Sequence, residues 1–261
     1  MPIIEFARSI REEDPGIGAR KIWLMAADLY GERMIGRDAF YALLEREGLR
    51  LRRPRPRHTT NSNHRYHKYK NLIQDYVPYG PNLLWVSDIT YIPLVNGDCC
   101  YLHLVTDAYS HKVVGWCLSP TLQAKYTLDA LREAINQAQG YDLSKLIHHS
   151  DRGVQYCCND YIAELNAYHI NISMTEDYKP TDNGIAERIN GIIKTEKLYR
   201  QPLYNNMEEA KEGIGKFISF YNDKRPHMSI GYKTPSLVHG QSGPQERLWK
   251  SYQSPMSTDL G

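Results

Sequence analysis

Leu84-Trp-Val-Ser-Asp-Ile-Thr-Tyr-Ile-Pro-Leu94 alternates its side chains at period two, so Val86, Asp88 and Thr90 share one face while Trp85, Ile89 and Tyr91 share the other. Apolar runs at 101–106 and 113–118 follow, set off by Asn96-Gly97-Asp98 and by Ser110-His111. These turn signals predict three antiparallel strands. Beyond them the pattern alternates: a helix over 125–139, a strand over 146–150, a helix over 160–168, a strand over 170–174, and helices over 183–198 and 207–221. Hairpin strands first, then alternating helices and strands, predict an α/β fold with a mixed sheet flanked by helices.

Upstream, residues 18–30 place Ile22, Met25, Ala26 and Leu29 on one helical stripe that Gly31 ends, and 37–47 place Phe40, Leu43 and Leu44 on a second stripe that Gly48 stops. The pair has the size of a helix-turn-helix, a pattern that serves plain packing as readily as DNA contact. Pro54 and Pro56 then forbid a regular helix in a stretch with little to bury, which predicts an extended linker. The expected organisation is therefore a small all-α helix-turn-helix segment at 1–49, a basic linker at 50–77, an α/β core at 78–240 and a loose tail at 241–261.

With 41% hydrophobic and 24% charged residues, the composition is that of a folded protein. No run of 18 apolar residues exists and the first 20 residues carry many charges, so neither a membrane span nor a leader peptide is expected. This predicts a cytoplasmic protein. The five cysteines contain no Cys-x-x-Cys pair, which predicts free thiols rather than a disulfide framework or zinc site. The formal net charge is only +2, yet Arg50, Arg52, Arg53, Arg55, Arg57, Arg65, Lys68 and Lys70 lie in one acid-free stretch; removing those eight cations leaves −6 for the rest. A concentrated basic run suits a phosphate backbone, although a solvated linker would carry the same charges.

Three carboxylates stand in distinctive surroundings. Asp88 sits inside an otherwise apolar strand, where an ionised group is costly unless a cation or several hydrogen bonds compensate it. Asp151 follows Leu-Ile-His-His-Ser at a strand's C-terminal end, with Gly153 allowing a sharp turn; ligand sites gather at such ends, though Asp is also a common turn former there. At 100° per residue, Ile185, Ile189, Ile192 and Ile193 form one stripe of the next helix, and Glu187, Asn190 and Lys194 fall opposite. Glu196 falls near the apolar stripe and fits this helix poorly unless its last turn bends. Spacing alone leaves open which acids belong together, because Asp98, Asp107, Asp177, Asp182 and Glu196 are nearby.

The segments Asp88-Ile-Thr-Tyr, His149-Ser-Asp-Arg-Gly-Val-Gln-Tyr156, Asp182-Asn-Gly-Ile-Ala-Glu187 with Lys194, and Tyr221-Asn-Asp-Lys-Arg-Pro-His227 resemble, in order, the integrase core of bacterial transposases. The match is closest to the second-reading-frame product of the insertion-sequence-three family, relatives of retroviral integrase, and includes the 35 residues between Asp151 and Glu187. It spans about residues 80–240; Arg20 and the helix pair through Gly48 also resemble the helical segment preceding that core. The resemblance implies a ribonuclease H-like fold, with Asp88, Asp151 and Glu187 as catalytic metal ligands for two Mg2+ ions, or Mn2+. It leaves Asp107 and Asp182 as turn and helix-start carboxylates.

Such ions, roughly 3.5–4 Å apart, serve both the attacking and the leaving oxygen of a phosphodiester exchange. On this reading the chain is a bacterial, nucleoid-associated DNA transposase acting on transposon ends and target DNA as a homo-oligomer. An upstream-frame product is a candidate partner. Arg52, Arg53, Arg55, Arg57 and Lys194 are expected DNA contacts, and His149, Gln155, Tyr156 and Asn183 are expected to support the ligands. The competing readings are a nuclease that only hydrolyses, and a catalytically idle DNA-binding subunit that regulates a longer fused transposase.

Overall fold

Three helices precede the first strand in the computed structural model, which describes residues 2–51, 66–74, 76–176 and 183–244: α1 (Pro2–Glu13), α2 (Ala19–Tyr30) and α3 (Arg37–Arg46). The pair α2 and α3 is the one expected from the stripes. Helix α1 is additional; it buries Ile4, Ala7 and Ile10 against Ile22, Phe40 and Leu44, so the segment closes its own small core.

Strand β1 (Leu84–Pro93) pairs antiparallel with β2 (Cys99–Asp107), and β2 with β3 (Val113–Ser119). The hairpin turns as expected at Gly97, whose φ of 88° lies in the left-handed region. Helix α4 (Ala124–Gln137) crosses to β4 (Ile147–Ser150), α5 (Val154–Cys157) and α6 (Asn159–Ala167) lead to β5 (Asn171–Met174), and both strands run parallel to β1. The sheet order β3-β2-β1-β4-β5 puts β1 at the centre, where antiparallel pairing on one side meets parallel pairing on the other. Beyond β5 come α7 (Gly184–Ile192), α8 (Met207–Asp223) and α9 (Pro235–His239).

Period two in β1 divides the core. Trp85 joins Leu131, Tyr156, Tyr161 and Leu165 beneath α4, α5 and α6, while Ile92 on the opposite face joins Ile189, Ile193, Phe217 and Tyr221 beneath α7 and α8. On β3, Gly115 lets α4 lie against the sheet: a Cβ there would stand 2.1 Å from the Ala130 carbonyl oxygen. Residues before the sheet also bind it, since the Leu72 amide donates to Ser173 Oγ at 2.9 Å. Just beyond α9, the Gly243 amide donates to the Tyr79 carbonyl and the Tyr109 hydroxyl donates to the Gly243 carbonyl. Residues 245–261 of the expected loose tail lie outside the described residues.

The misfit at Glu196 has a physical cause. The helix that begins as α7 does not continue in α form to Leu198; it widens into a π-helical turn over Ile193–Lys197. That turn brings Glu196 against Arg225, with contacts of 2.6 and 2.7 Å to Nε and Nη2, and against Lys21 Nζ at 3.1 Å. Burial alone would raise the Glu196 carboxyl, but the hydrogen bonds and charge of Arg225, with Lys21, hold it down at about 2. Burial and the adjacent Glu196 charge push Asp14, which is fully enclosed, up to about 8. The backbone approaches as closely as the side chains: a Cβ on Gly16 would meet Glu196 Cα at 2.0 Å. Phe220 of α8 also enters the core of the three N-terminal helices, so that segment is docked on the sheet domain through both apolar and ionic contacts.

Candidate active site

Asp88 lies on the α7 face of the central strand. Its Oδ1 accepts from the Ile89 amide at 2.8 Å and its Oδ2 accepts from Asn190 Nδ2 at 2.6 Å. Parallel pairing aligns Leu84 with Ile147 and Val86 with His149, and continuing that register by two residues sets Asp88 level with Asp151. Asp151 follows β4 directly, and its Oδ1 accepts from the Gly153 amide at 2.8 Å, the tight turn expected of that glycine. Glu187 sits in the first turn of α7 and is exposed.

Asp88 senses the other two carboxylates. Burial first, then the charge of Asp151 and, more weakly, that of Glu187 push the Asp88 carboxyl up to about 6, against the two hydrogen bonds it accepts. Carboxylates gathered without a counter-charge raise each other's proton affinity, and a divalent cation relieves that repulsion as a proton does. The donor set is oxygen-only, which suits magnesium or manganese. Among the described residues, no three His, Cys, Asp or Glu side chains stand close enough to hold one ion jointly. Asp88 and Asp151 are the level pair, and Glu187 stands at the rim.

Of the residues expected to support the ligands, two border the carboxylates. Tyr156 of α5 is fully buried; its hydroxyl has no hydrogen-bond partner, and burial and then the charges of Asp151 and Asp88 raise it well above the usual phenol range. Asn183 donates from Nδ2 to the Ser87 carbonyl at 3.1 Å and so pins the start of α7 beside β1. His149 and Gln155 bond to neighbouring elements of the sheet domain. His149 Nδ1 is 2.8 Å from Ser173 Oγ, tying β4 to β5, and Gln155 donates to the Leu122 carbonyl at 3.1 Å. Lys194 is half-buried within the π-helical turn, so a straight helical projection from Glu187 no longer places it. Arg52, Arg53, Arg55 and Arg57 lie outside the described residues, as does Asp182.

Sequence reasoning missed Asn190 as a site residue. It had been placed on the polar side of the helix with Glu187, where it reads as solvent-facing, yet it is buried and holds Asp88. The signal available was its spacing, one turn from Glu187 on the same face. Asp107, expected to serve a turn, does so: its carboxylate accepts from the Asn82 amide and from the amide and hydroxyl of Ser110.

Two matches to integrase core domain families cover residues 78–180 and 168–235, which together enclose all three carboxylates. Transposase InsF for insertion sequence IS3A of Escherichia coli K12 is 32% identical over 206 residues, spanning 77% of this chain and 69% of that transposase. The chain belongs to the insertion-sequence-three family of DDE transposases. The transposase is also 32% identical, over 224 residues, to the protein of insertion sequence element IS986/IS6110 in Mycobacterium tuberculosis, covering 84% of this chain and 79% of that one. Its fold is that of a chain in the simian T-cell lymphotropic virus intasome solved with PP2A regulatory subunit B56 gamma: TM-score 0.52, 19% identity, 86% of this chain and 79% of the other. That is the ribonuclease H-like core, here with the helical segment ahead of it. Among the described residues, no helix of the transposase is long and apolar enough to cross a membrane.

Proposed function

We propose that this transposase cleaves and joins DNA phosphodiesters at transposon ends through Asp88, Asp151 and Glu187, which hold divalent cations. The observation that supports this most is the Asp88 carboxyl: half-buried, level with Asp151 when the parallel register is continued, and pushed up to about 6 by desolvation and then the Asp151 charge. Bound magnesium or manganese would ready the attacking water or 3′-hydroxyl and neutralise charge on the phosphate.

The chain's own groups do the positioning. The Ile89 amide and Asn190 fix the two oxygens of Asp88, and the Gly153 amide fixes one oxygen of Asp151. Asn183 anchors the start of α7 to Ser87, leaving Glu187 one turn from Asn190 and above the strand ends. Arg52, Arg53, Arg55 and Arg57, with Lys194, contribute DNA contacts in this proposal, and the working form is a homo-oligomer on DNA.

The test is incubation of the full chain with a pre-cut transposon-end duplex, target DNA and magnesium. Joined products are expected. Nicking without joining would leave only a nuclease, and binding without either would leave only a regulatory subunit. Asp88→Asn, Asp151→Asn and Glu187→Gln are each expected to abolish joining while DNA binding persists; unchanged turnover in any one removes that residue from the site.

A further inference from the structure

Glu187 is followed by Arg188, an exposed side chain that lines two adjoining clefts on the flank of α7. One, of about 310 Å³, lies between α2, α7 and the 225–232 loop and is lined by Arg20, Lys21, Arg188, Arg225 and His227, with no Asp or Glu among the described residues. The other, of about 580 Å³, continues past Ser229 and His111 to Val86, which shares its face of β1 with Asp88, and among the described residues it too has no acidic lining. We propose that these clefts form one groove that binds consecutive phosphodiesters of the DNA strand lying next to the carboxylates, with Arg20 and Arg188 as its phosphate ligands. This rests on the transposase reading and adds a strand-binding site to it.

Four observations carry the assignment. First, neither Arg20 nor Arg188 makes an ion pair among the described residues, whereas Lys21 and Arg225 in the same cleft are both committed to Glu196. Second, Arg20 is not loose: its guanidinium lies over the Tyr232 ring, 4.9 Å from the centroid, which orients the fork while leaving its donors outward. Third, Tyr232 and His111 hold left-handed backbone conformations, with φ of 59° and 63°. Bulky residues rarely adopt these, and such strain concentrates at binding sites. Fourth, His111 is nine-tenths buried with Nδ1 lacking a partner, while Nε2 lies 3.4 Å from Ser229 Oγ. Burial pushes this ring down to about 4, so it adds no charge to the cleft wall at physiological pH.

The buried network behind the cleft reinforces the sign: Lys21 and Arg225 share the one carboxylate of Glu196, while burial and the Glu196 charge push the neighbouring Asp14 carboxyl up to about 8. Exposed Met228 on the same wall supplies an apolar surface for a base or sugar.

The experiment follows the salt dependence of binding to a fluorescein-labelled DNA duplex of arbitrary sequence, by fluorescence polarisation, for the full chain and for R20A/R188A. Each phosphate contact contributes a slope of about 0.9 in log affinity against log salt, so the double variant is expected to be shallower by about 1.8. Arg20→Lys with Arg188→Lys should keep most of the slope, because charge survives. Should R20A/R188A melt early through loss of the Tyr232 contact, Arg188→Gln alone, at an exposed position, is read instead and is expected to lose about 0.9. An unchanged slope in a folded variant overturns the groove. A parallel joining assay on the unmodified chain separates the two readings: joining with an unchanged slope rejects the groove alone, while a shifted slope without joining keeps the groove and rejects the transposase chemistry.

Discussion

Asn190 Nδ2 and Asp88 Oδ2 are 2.6 Å apart, a bond that ties α7 to the central strand across 102 residues of chain. It is a part-buried hydrogen bond to a carboxylate, a class that contributes about 1.5–3 kcal/mol. Asn190→Leu removes the donor and strands one Asp88 oxygen. The expected outcome is a fall in strand transfer of about tenfold or more with a higher half-saturating magnesium concentration, checked by titrating magnesium in the joining assay. Joining with an unaltered magnesium dependence would leave Asn190 a packing residue.

Glu196→Ala is expected to unfold the docking of the N-terminal segment. It would leave Arg225 and Lys21 without their shared partner in a largely buried setting. Breaking a buried pair costs about 3–5 kcal/mol, or roughly 10 °C in Tm for a chain of this size. Thermal unfolding followed by circular dichroism measures this, and a shift of under about 2 °C would show the network to be energetically idle.

Asp14 gives a stability that varies with pH. Its folded value, up to about 8, lies above the unfolded value of about 3.9, so the fold binds a proton that the unfolded chain releases across that window. Stability contributed by this site is therefore full below about pH 4 and declines as pH rises towards 8. Asp14→Asn, whose Oδ1 can still accept from the Gly16 amide, should raise Tm at pH 7 by several degrees. That advantage should shrink at pH 4–5. A gap that does not change with pH would mean that Asp14 stays ionised in the fold.

Gly115→Ala tests the seating of α4. The added methyl would meet the Ala130 carbonyl and the backbone nitrogen and Cβ of Ala134 within 3 Å. Helix α4 must shift, at a cost of about 1–3 kcal/mol or more. Urea denaturation should show a lower midpoint with an unchanged slope. Gly18→Ala, where nothing lies within 4 Å of the new Cβ, is the matched control.

Tyr156→Phe separates fold from chemistry. The hydroxyl is buried without a partner, so its removal should leave Tm unchanged or higher. Joining should nonetheless fall, because the charges of Asp151 and Asp88 act on this hydroxyl. Full joining activity in this variant would confine Tyr156 to packing against Tyr161.

The strands were legible because period two in 84–94 and the turn at Asn96-Gly97 are local signals, and β1 and β2 run close to the expected bounds. Helix α1 was not, although Ile4, Ala7 and Ile10 carry a helical spacing, because attention to its charges served only to exclude a leader. Glu196 was legible as a misfit but not as a partner of Lys21, which lies 175 positions away, and no local pattern encodes a π-helical turn. Asn190 was misjudged for a related reason: a helix buried on two sides has no simple polar face. Ile189 enters the core under α8 while Asn190 reaches β1. The level placement of Asp88 and Asp151 needs the parallel pairing of β1 with β4, a long-range contact that spacing cannot specify.

Because neighbouring side chains on a pleated strand point to opposite sides, β1 should accept many replacements yet no odd-numbered insertion or deletion upstream of Asp88 within the paired stretch. Losing one residue there would bring Ile89 to the place of the acid and gaining one would bring Ser87, and either would turn Asp88 towards Trp85 and Tyr161. Evolutionary drift in the length of this strand is therefore barred in single steps, whereas the loop at Asn96-Gly97 is free to vary.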